Sequence, residues 1–315
     1  MQSSSSTSAG PAGAFRGVFS VLPTPFDRSG DLDLGSLGRV VDLYLAGGVN
    51  GLTTLGVTSE VARLDDRERG QVLESVVRQT NGRVPVVAGA TSNGLRTTIG
   101  YARAAKAAGA YAVMVSPPRL ARPSGDALVG FYKGLAEAVD LPIVVQDFPP
   151  VSGFTIEPAI LARIAREVPA ACAIKLEDPP TPYKTAKILA ETGPGLHILG
   201  GLGGVFLLEE LIAGASGTMT GFAYPEILVR VVKLYEEGKL DEAADVFYRY
   251  VPLMRFEFQE GIGIALRKEV LRRRGAITDA TIRPPGMKPD AQTLKALDLV
   301  QNWLRGRKED SWISI

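Results

Sequence analysis

The chain has 315 residues, of which 45% are hydrophobic and 22% charged, with 35 Lys and Arg against 34 Asp and Glu. This even balance is typical of a globular protein and disfavours nucleic acid or an anionic membrane as a partner. The chain has one cysteine, Cys172, and one histidine, His197, so it cannot by itself build a disulfide framework, a cysteine–histidine zinc site or a histidine-based catalytic triad.

The N-terminal segment 1–14, MQSSSSTSAGPAGA, is rich in serine and small residues. It lacks the basic start and the apolar core of a secretory signal, and we predict that it forms a disordered tail. No apolar run reaches the roughly 18 residues that span a bilayer. We therefore expect a cytoplasmic protein with no membrane partner, and an unpaired Cys172 fits that reducing compartment.

Short apolar runs alternate with longer amphipathic segments along the rest of the chain. Runs that are almost continuously hydrophobic and separated by helical patterns predict a parallel sheet covered by helices on both faces. Eight such units predict an α/β fold, a closed (β/α)8 TIM barrel, over residues 15–224. A doubly wound open sheet is the alternative, but it usually has fewer strands, and no G-x-G-x-x-G motif follows the first run. The predicted strands are residues 18–22, 51–55, 84–88, 112–115, 143–145, 171–176, 196–199 and 216–219.

The chain beyond the eighth predicted strand is longer than a barrel requires. About fifty residues after position 224 have an almost continuous helical pattern, and a further helix is predicted from about 291 to 303. We expect residues 225–315 to form a C-terminal helical extension that packs on the barrel.

One lysine, Lys175, stands inside an apolar predicted strand, in the segment AIKLED at 173–178. In a barrel of this kind the functional groups lie at the C-terminal ends of the strands. Burying an ammonium ion is costly, so a buried lysine tends to lose its proton, and the neutral amine can attack a carbonyl to form a Schiff base. The structural alternatives are a lysine that extends to the rim and one that pairs with a carboxylate.

The period of a strand relates this lysine to a carboxylate. Side chains alternate between faces, so Lys175 and Glu177 point into the barrel while Leu176 points to the helix layer. Glu177 could pair with the ammonium group or move protons on an imine. The pair of Lys175 and Glu177 is expected whether the lysine forms a structural ion pair or a Schiff base. The pattern therefore indicates a site but does not specify a reaction.

Several motifs carry a family resemblance over about residues 17–225. The stretch GVTSE at 56–60 is similar to a G-[TS]-T-G-E motif, and GVFSVLPTPF, GAYAVMVSPP, LPIVVQDFPP and AIKLED are similar to the first, fourth, fifth and sixth strands of one superfamily. The chain thus resembles the dihydrodipicolinate synthase / N-acetylneuraminate lyase superfamily of Schiff-base-forming (β/α)8 enzymes. The resemblance implies a lyase, with Lys175 as the Schiff-base lysine, that assembles as a homo-oligomer, a tetramer or a dimer.

The chain departs from the common family pattern at several points. Where the family's fifth strand carries Y-N-x-P, with a tyrosine for proton transfer, this chain has Gln146 and Asp147. An arginine that synthases use for a dicarboxylic substrate falls at Val151. The tyrosine that a neighbouring subunit contributes falls near Pro118 or Arg119. The phenolic relay and the clamp for a second carboxylate are therefore absent.

These departures are similar to one branch of the superfamily, typified by L-2-keto-3-deoxyarabonate dehydratase, with V-Q-D-x-P and K-[IL]-E strands and a likeness to GASGTMTG at 214–221. The branch implies Lys175 as the nucleophile and Glu177 as the acid and base in the dehydration of a 2-keto-3-deoxy sugar acid, with no cofactor or metal. The alternatives are a pyruvate-dependent aldolase, a dihydrodipicolinate synthase-type condensation, and a non-catalytic ligand-sensing barrel.

Further candidates for contacts with a 2-keto acid substrate lie at the ends of the predicted strands. The hydroxyl and N–H groups of Thr58 and Ser59 could bind its carboxylate, with helix capping as the structural alternative. Gln146 could hold a substrate hydroxyl where a tyrosine would otherwise stand, or it could be only a polar filler. Gly200 and Gly201 would let the backbone approach the ligand closely.

Three more side chains complete the predicted set. Arg119 and Asp147 stand at strand ends, where they could reach substrate hydroxyls or form an ion pair with each other at the rim. Tyr224, just after the eighth predicted strand, is the third.

Overall fold

The computed structural model describes residues 15–121, 123–193, 195–306, 313 and 315, so the predicted tail at 1–14 lies outside the described residues. Eight parallel strands close into a barrel in chain order, with the last strand pairing with the first. The predicted (β/α)8 TIM barrel is confirmed, and the strand bounds differ from the predicted ones by no more than two residues. The strands are β1 Gly17–Val21, β2 Gly51–Thr54, β3 Val86–Gly89, β4 Ala112–Val115, β5 Ile143–Asp147, β6 Ala173–Leu176, β7 His197–Gly200 and β8 Gly217–Thr220.

Helices follow the strands and cover the outside of the barrel. Local capping fixes the starts of several of them: Asp33 accepts a 2.8 Å hydrogen bond from the Ser36 N–H, and Asp65 and Glu68 form a reciprocal capping box. The helices are α1 Leu34–Ala46, α2 Asp66–Thr80, α3 Leu95–Ala107, α4 Gly125–Ala138, α5 Pro149–Ser152, α6 Pro158–Glu167, α7 Thr181–Thr192, α8 Leu207–Ile212, α9 Pro225–Glu236, α10 Leu240–Glu257, α11 Gly263–Arg273 and α12 Ala291–Arg305.

Two apolar layers hold this architecture together. Alternate strand residues face inward and fill the barrel, and the residues between them face outward and pack against the helices. The layer between strands and helices is the larger of the two. The inward-facing set includes Phe19, Val21, Val87, Met114, Val144, Ala173, Leu199 and Met219.

The C-terminal helices pack on the barrel. Helix α9 contacts β1 and α8 and completes the ring of helices, and it also contacts α10. The division predicted at residues 224 and 225 precedes this eighth barrel helix, so we propose that the extension begins at α10. None of the helices in the described ranges combines the length and the apolar composition that a bilayer crossing requires.

Candidate active site

Lys175 lies near the C-terminal end of β6, with 5% of its surface exposed. Ala173 belongs to the inward-facing layer while Ile174 and Leu176 pack on the helix side, so the alternation points Lys175 into the barrel. Its Nζ atom lies 3.1 Å from Oε2 of Glu177, whose side chain is almost as buried. A primary amine and a carboxylate therefore share the C-terminal mouth of the barrel, where enzymes of this fold carry their chemistry.

The amide of Gln146 completes this cluster from the neighbouring strand. The register of β5 and β6 pairs Gln146 with Lys175. Gln146 Nε2 donates a 2.7 Å hydrogen bond to Oε2 of Glu177, and only 2% of the Gln146 surface is exposed. The Glu177 carboxylate is thus oriented by an amide and by an amine. The arrangement can form a covalent bond to a carbonyl carbon and move a proton beside it.

Two predicted glycines make room for protein carboxyl groups. A β-carbon on Gly201 would lie 2.4 Å from Cγ and 2.6 Å from Oε1 of Glu177. A β-carbon on Gly200 would lie 1.7 Å from Oε2 of Glu210, on the helix side of the barrel wall. The α-carbons of both glycines therefore lie against protein carboxyl groups, and a backbone contact of Gly200 and Gly201 with substrate stays a prediction.

Glu210 is a buried acid that the sequence analysis did not single out. It lies on α8 with 1% of its surface exposed, and Thr181 Oγ1 donates a 2.5 Å hydrogen bond to its Oε1 atom. Burial raises the pKa of Glu210 from 4.5 to about 8, so this carboxyl group is largely neutral near pH 7. The available signal was its position between Leu207 and Leu211 on the buried face of a helix.

The loop after β2 holds the predicted carboxylate donors on a short 3-10 turn, Val57–Ser59. The Ser59 hydroxyl donates to the Leu22 carbonyl at 2.6 Å and accepts from the Gly56 N–H at 3.2 Å. These bonds hold the loop in place, so the hydroxyl of Ser59 is engaged within the protein. Thr58 is half-buried on the same turn and stays a predicted substrate contact.

A buried ion pair fixes the end of this loop. Glu60 adopts the left-handed conformation, with φ of 58°, and its Oε1 atom contacts Nζ of Lys268 on α11. Both side chains are fully buried, and Arg63 pairs with the second Glu60 oxygen at 2.6 Å. Burial lowers the pKa of Lys268 from 10.5 to about 8. No local pattern in the sequence marked Lys268, because its burial depends on how α11 docks.

The structure places Asp147 away from the barrel mouth. Its side chain points to the helix layer, opposite to its neighbour Gln146, and its Oδ2 atom lies 2.6 Å from Nζ of Lys184. Lys184 also pairs with Asp178 at 2.7 Å. Burial raises the pKa of Asp147 to about 6. Strand alternation explains this position, and the rim pair with Arg119 does not form.

The contacts described for Arg119 and Tyr224 are with residues other than Lys175 and Glu177. Arg119 is exposed on the rim, beside Gly153. Tyr224 is 1% exposed and packs under the extension: its hydroxyl accepts a 3.0 Å hydrogen bond from Gln301, and the Arg274 guanidinium lies 4.4 Å from its ring centre. Tyr224 therefore joins the barrel to α12 and does not face the mouth.

The described residues contain no group of three or more His, Cys, Asp or Glu side chains arranged to hold a metal ion. The candidate site consists of the amine of Lys175, the carboxylate of Glu177 and the amide of Gln146, with Thr58 on the loop after β2 as a further donor.

Comparisons with known proteins give consistent results. Residues 14–301 match the Dihydrodipicolinate synthetase family. The chain is 33% identical over 287 residues to L-2-keto-3-deoxyarabonate dehydratase of Azospirillum brasilense, covering 88% of this chain and 91% of the relative. It is 34% identical over 232 residues to 4-hydroxy-tetrahydrodipicolinate synthase of Pelobacter propionicus, covering 73% and 78%. The crystal structure of dihydrodipicolinate synthase from Rhodopseudomonas palustris superposes with a TM-score of 0.87 at 32% identity, covering 92% of this chain and 98% of that one.

Proposed function

Because the chain belongs to the Dihydrodipicolinate synthetase family and is a lyase, we propose that it dehydrates a 2-keto-3-deoxy sugar acid, such as 2-keto-3-deoxyarabonate, through a Schiff base on Lys175. The observation that carries this proposal is the 3.1 Å contact between Lys175 Nζ and Glu177 Oε2 in the barrel mouth. The contact supports the proposal because a nucleophile and a proton carrier 3.1 Å apart can act on neighbouring carbons of one substrate.

In the first step, the Lys175 amine adds to the C2 ketone of the substrate. Two protons then pass from the nitrogen to the C2 oxygen, carried by Glu177 or by water, and the oxygen leaves as a water molecule. The product is a protonated imine. Its positive charge withdraws electrons from C3 and acidifies the hydrogens there.

In the second step, Glu177 removes a proton from C3, and the electron pair of that C–H bond moves toward the imine nitrogen to give an enamine. The carboxyl group then donates the proton to the C4 hydroxyl. The nitrogen lone pair re-forms the imine, a C3=C4 double bond forms as the C4–O bond breaks, and water leaves. Gln146 keeps the carboxylate oriented through its 2.7 Å hydrogen bond while the proton moves. Loss of a proton from C5 and its addition at C3 move the double bond to C4=C5, and this enol becomes the C5 aldehyde. Hydrolysis of the imine by water then releases the product and restores Lys175.

An aldolase or a synthase-type condensation would use the same imine, with the C3–C4 bond breaking or forming in place of the C4–O bond. Dehydration is supported by Gln146, which bonds to Glu177 at a position where the synthases carry a tyrosine for proton transfer. It is also supported by the dehydratase of Azospirillum brasilense, which matches 88% of the chain.

Two measurements test the proposal. Borohydride reduction in the presence of 2-keto-3-deoxyarabonate should add the reduced substrate to the Lys175 peptide, as read by mass spectrometry, and Lys175→Arg should abolish the adduct. Without borohydride, we expect α-ketoglutarate semialdehyde as the product. Pyruvate as the product would assign the protein to the aldolases, and the absence of any adduct with 2-keto acids would leave a ligand-sensing barrel.

The role of Glu177 has its own test. Glu177→Gln should retain imine trapping but lower turnover by about 10² to 10⁴-fold, the usual contribution of a general acid or base. Glu191→Gln, an exposed carboxylate on α7, is the matched control and should leave both unchanged. Full activity in Glu177→Gln would remove its proposed role.

A further inference from the structure

Helix α11 of the extension lies against the C-terminal mouth of the barrel. Lys268 on this helix contacts the Phe26 ring, which follows β1, and Glu60, which follows β2. The preceding residue, Arg267, approaches the segment that follows β8, at Gly221. One helix of the extension thus forms the β8–β1–β2 side of the mouth, while Lys175 stands on β6.

The guanidinium of Arg267 occupies the inner side of Gly221. Met219 belongs to the inward-facing layer and Phe222 packs on the helix side, so alternation turns Gly221 inward. A β-carbon on Gly221 would lie 2.1 Å from Arg267 Nη1 and 2.6 Å from Cζ. Arg267 therefore takes the place that a side chain of β8 would otherwise fill.

Two of the three guanidinium nitrogens of Arg267 make no hydrogen bond within the described part of the chain. Arg267 is 3% exposed, and its Nε and Nη1 atoms make no hydrogen bond with any described residue. The nearest carboxylate oxygen, Oε2 of Glu257, lies 3.6 Å from Nε and accepts a hydrogen bond from the Ala223 N–H. The other Glu257 oxygen is also buried without a partner. Buried polar groups are costly when unpaired, so these atoms require a ligand or water.

The order of the strands sets where this group lies relative to a substrate on Lys175. Neighbouring strands lie about 4.8 Å apart, so β6 and β8 are separated by roughly 10 Å along the barrel wall. A sugar-derived acid held at C2 by Lys175 extends several carbons from that point. A far end that points across the mouth from β6 is directed to the β8 side, where Arg267 lies.

We propose that Arg267, with Glu257, binds the hydroxyl groups at the far end of the substrate and selects a hydroxylated 2-keto acid. This inference rests on the proposed Schiff-base function. Hydroxyl groups both donate and accept, which matches guanidinium donors beside an unpaired carboxyl oxygen. A second substrate carboxylate would be repelled by Glu257, and the positive charge of Arg267 is already balanced by that residue.

The test compares two ligands that differ at the far end. Pyruvate has no hydroxylated chain, whereas 2-keto-3-deoxyarabonate has one. The measured quantity is the ligand concentration that gives half-maximal borohydride trapping on Lys175. We expect Arg267→Met to leave this concentration unchanged within about twofold for pyruvate and to raise it about 10- to 100-fold for the sugar acid, as the loss of a charged hydrogen bond predicts.

Two further variants separate recognition from folding. Gly221→Ala should displace the guanidinium and produce the same selective loss. Arg274→Met is the matched control, because Arg274 directly follows the last residue of α11, seven residues after Arg267, and pairs with Glu226 at 2.6 Å. In Arg274→Met, the half-maximal trapping concentrations for the sugar acid and for pyruvate should have the same ratio as in the wild type. Equal losses for both ligands in Arg267→Met, or no loss, would overturn the proposal.

If Arg267→Met does not fold, the hydroxyl site can be tested on the wild-type protein with two ligands. The sugar acid should then give half-maximal trapping at a concentration at least tenfold lower than 2-oxopentanoate, which has five carbons and no hydroxyl groups. Equal concentrations would refute the hydroxyl site while leaving the Schiff base intact. Failure of every 2-keto acid to trap would instead refute the proposed function.

Discussion

The α-carbon of Gly201 packs directly against the carboxyl end of Glu177, so closely that a β-carbon on Gly201 would lie 2.4 Å from Glu177 Cγ. This contact involves a proposed catalytic group, and a methyl group there must displace it. We expect Gly201→Ala to lower turnover about 10- to 100-fold, since a small misplacement of a catalytic group has effects of this size. Gly195→Ala, with open space at its α-carbon, is the matched control in the same steady-state assay. Equal activity of the two variants would mean that the position of Glu177 is not critical.

The hydrogen bond from Gln146 to Glu177 leads to a second prediction. Gln146→Leu keeps the approximate volume but removes the 2.7 Å donor to the carboxylate. Because hydrogen bonds to charged groups contribute about 1.5–3 kcal/mol, we expect kcat to fall about 10- to 100-fold while imine trapping persists. Gln79→Leu, which loses an exposed bond to Asp42, should have normal kcat. A normal kcat in Gln146→Leu would exclude its orienting role.

The buried pair of Glu60 and Lys268 predicts a stability effect. Lys268→Met leaves the buried Glu60 carboxylate with Arg63 alone, and we expect a loss of about 3 kcal/mol in the free energy of unfolding, measured with urea. Lys106→Met, which breaks an exposed 3.2 Å pair with Asp140, should cost less than about 1 kcal/mol. Similar losses in the two variants would show that burial does not distinguish these pairs.

Glu210 predicts how stability depends on pH. Its pKa is 4.5 in a free carboxyl group and about 8 in the folded protein, because burial disfavours the charged form. The folded state therefore holds a proton that the unfolded state releases, and the stabilisation present below pH 4.5 is lost as the pH rises toward 8, by up to about 1.4 kcal/mol per unit.

Glu210→Gln should remove this loss. We expect its thermal unfolding midpoint to exceed that of the wild type by a margin that grows from pH 5 to pH 8, since a neutral amide can still accept the bond from Thr181. Glu191→Gln, at an exposed site, should follow the wild type. If the unfolding midpoints of Glu210→Gln and the wild type differ by a constant amount from pH 5 to pH 8, then Glu210 does not hold a proton in the folded state.

Local periodicity explains what could be predicted before the fold was known. Strand alternation put Lys175 and Glu177 on one inner face, and the ion pair of 3.1 Å follows from that placement. The same rule, applied to Asp147, turns it outward, although the position of Lys184 on α7 was needed to identify its partner. Homo-oligomeric assembly stays a prediction.

The residues that the sequence did not reveal share one property: their environment is set by elements far away in the chain. Glu210 is buried by Thr181 and the wall at Gly200, and Lys268 by Glu60. Arg267 meets Gly221 because α11 docks on the barrel mouth.

By itself, then, the sequence determined the repeating units of the barrel and the inward-facing lysine and carboxylate, because both depend on spacings of two to four residues along a single strand or helix. Only the tertiary structure decided which polar groups are buried together. That outcome depends on how whole helices dock. A pattern of a few residues does not specify the surface against which a helix from a distant part of the chain packs.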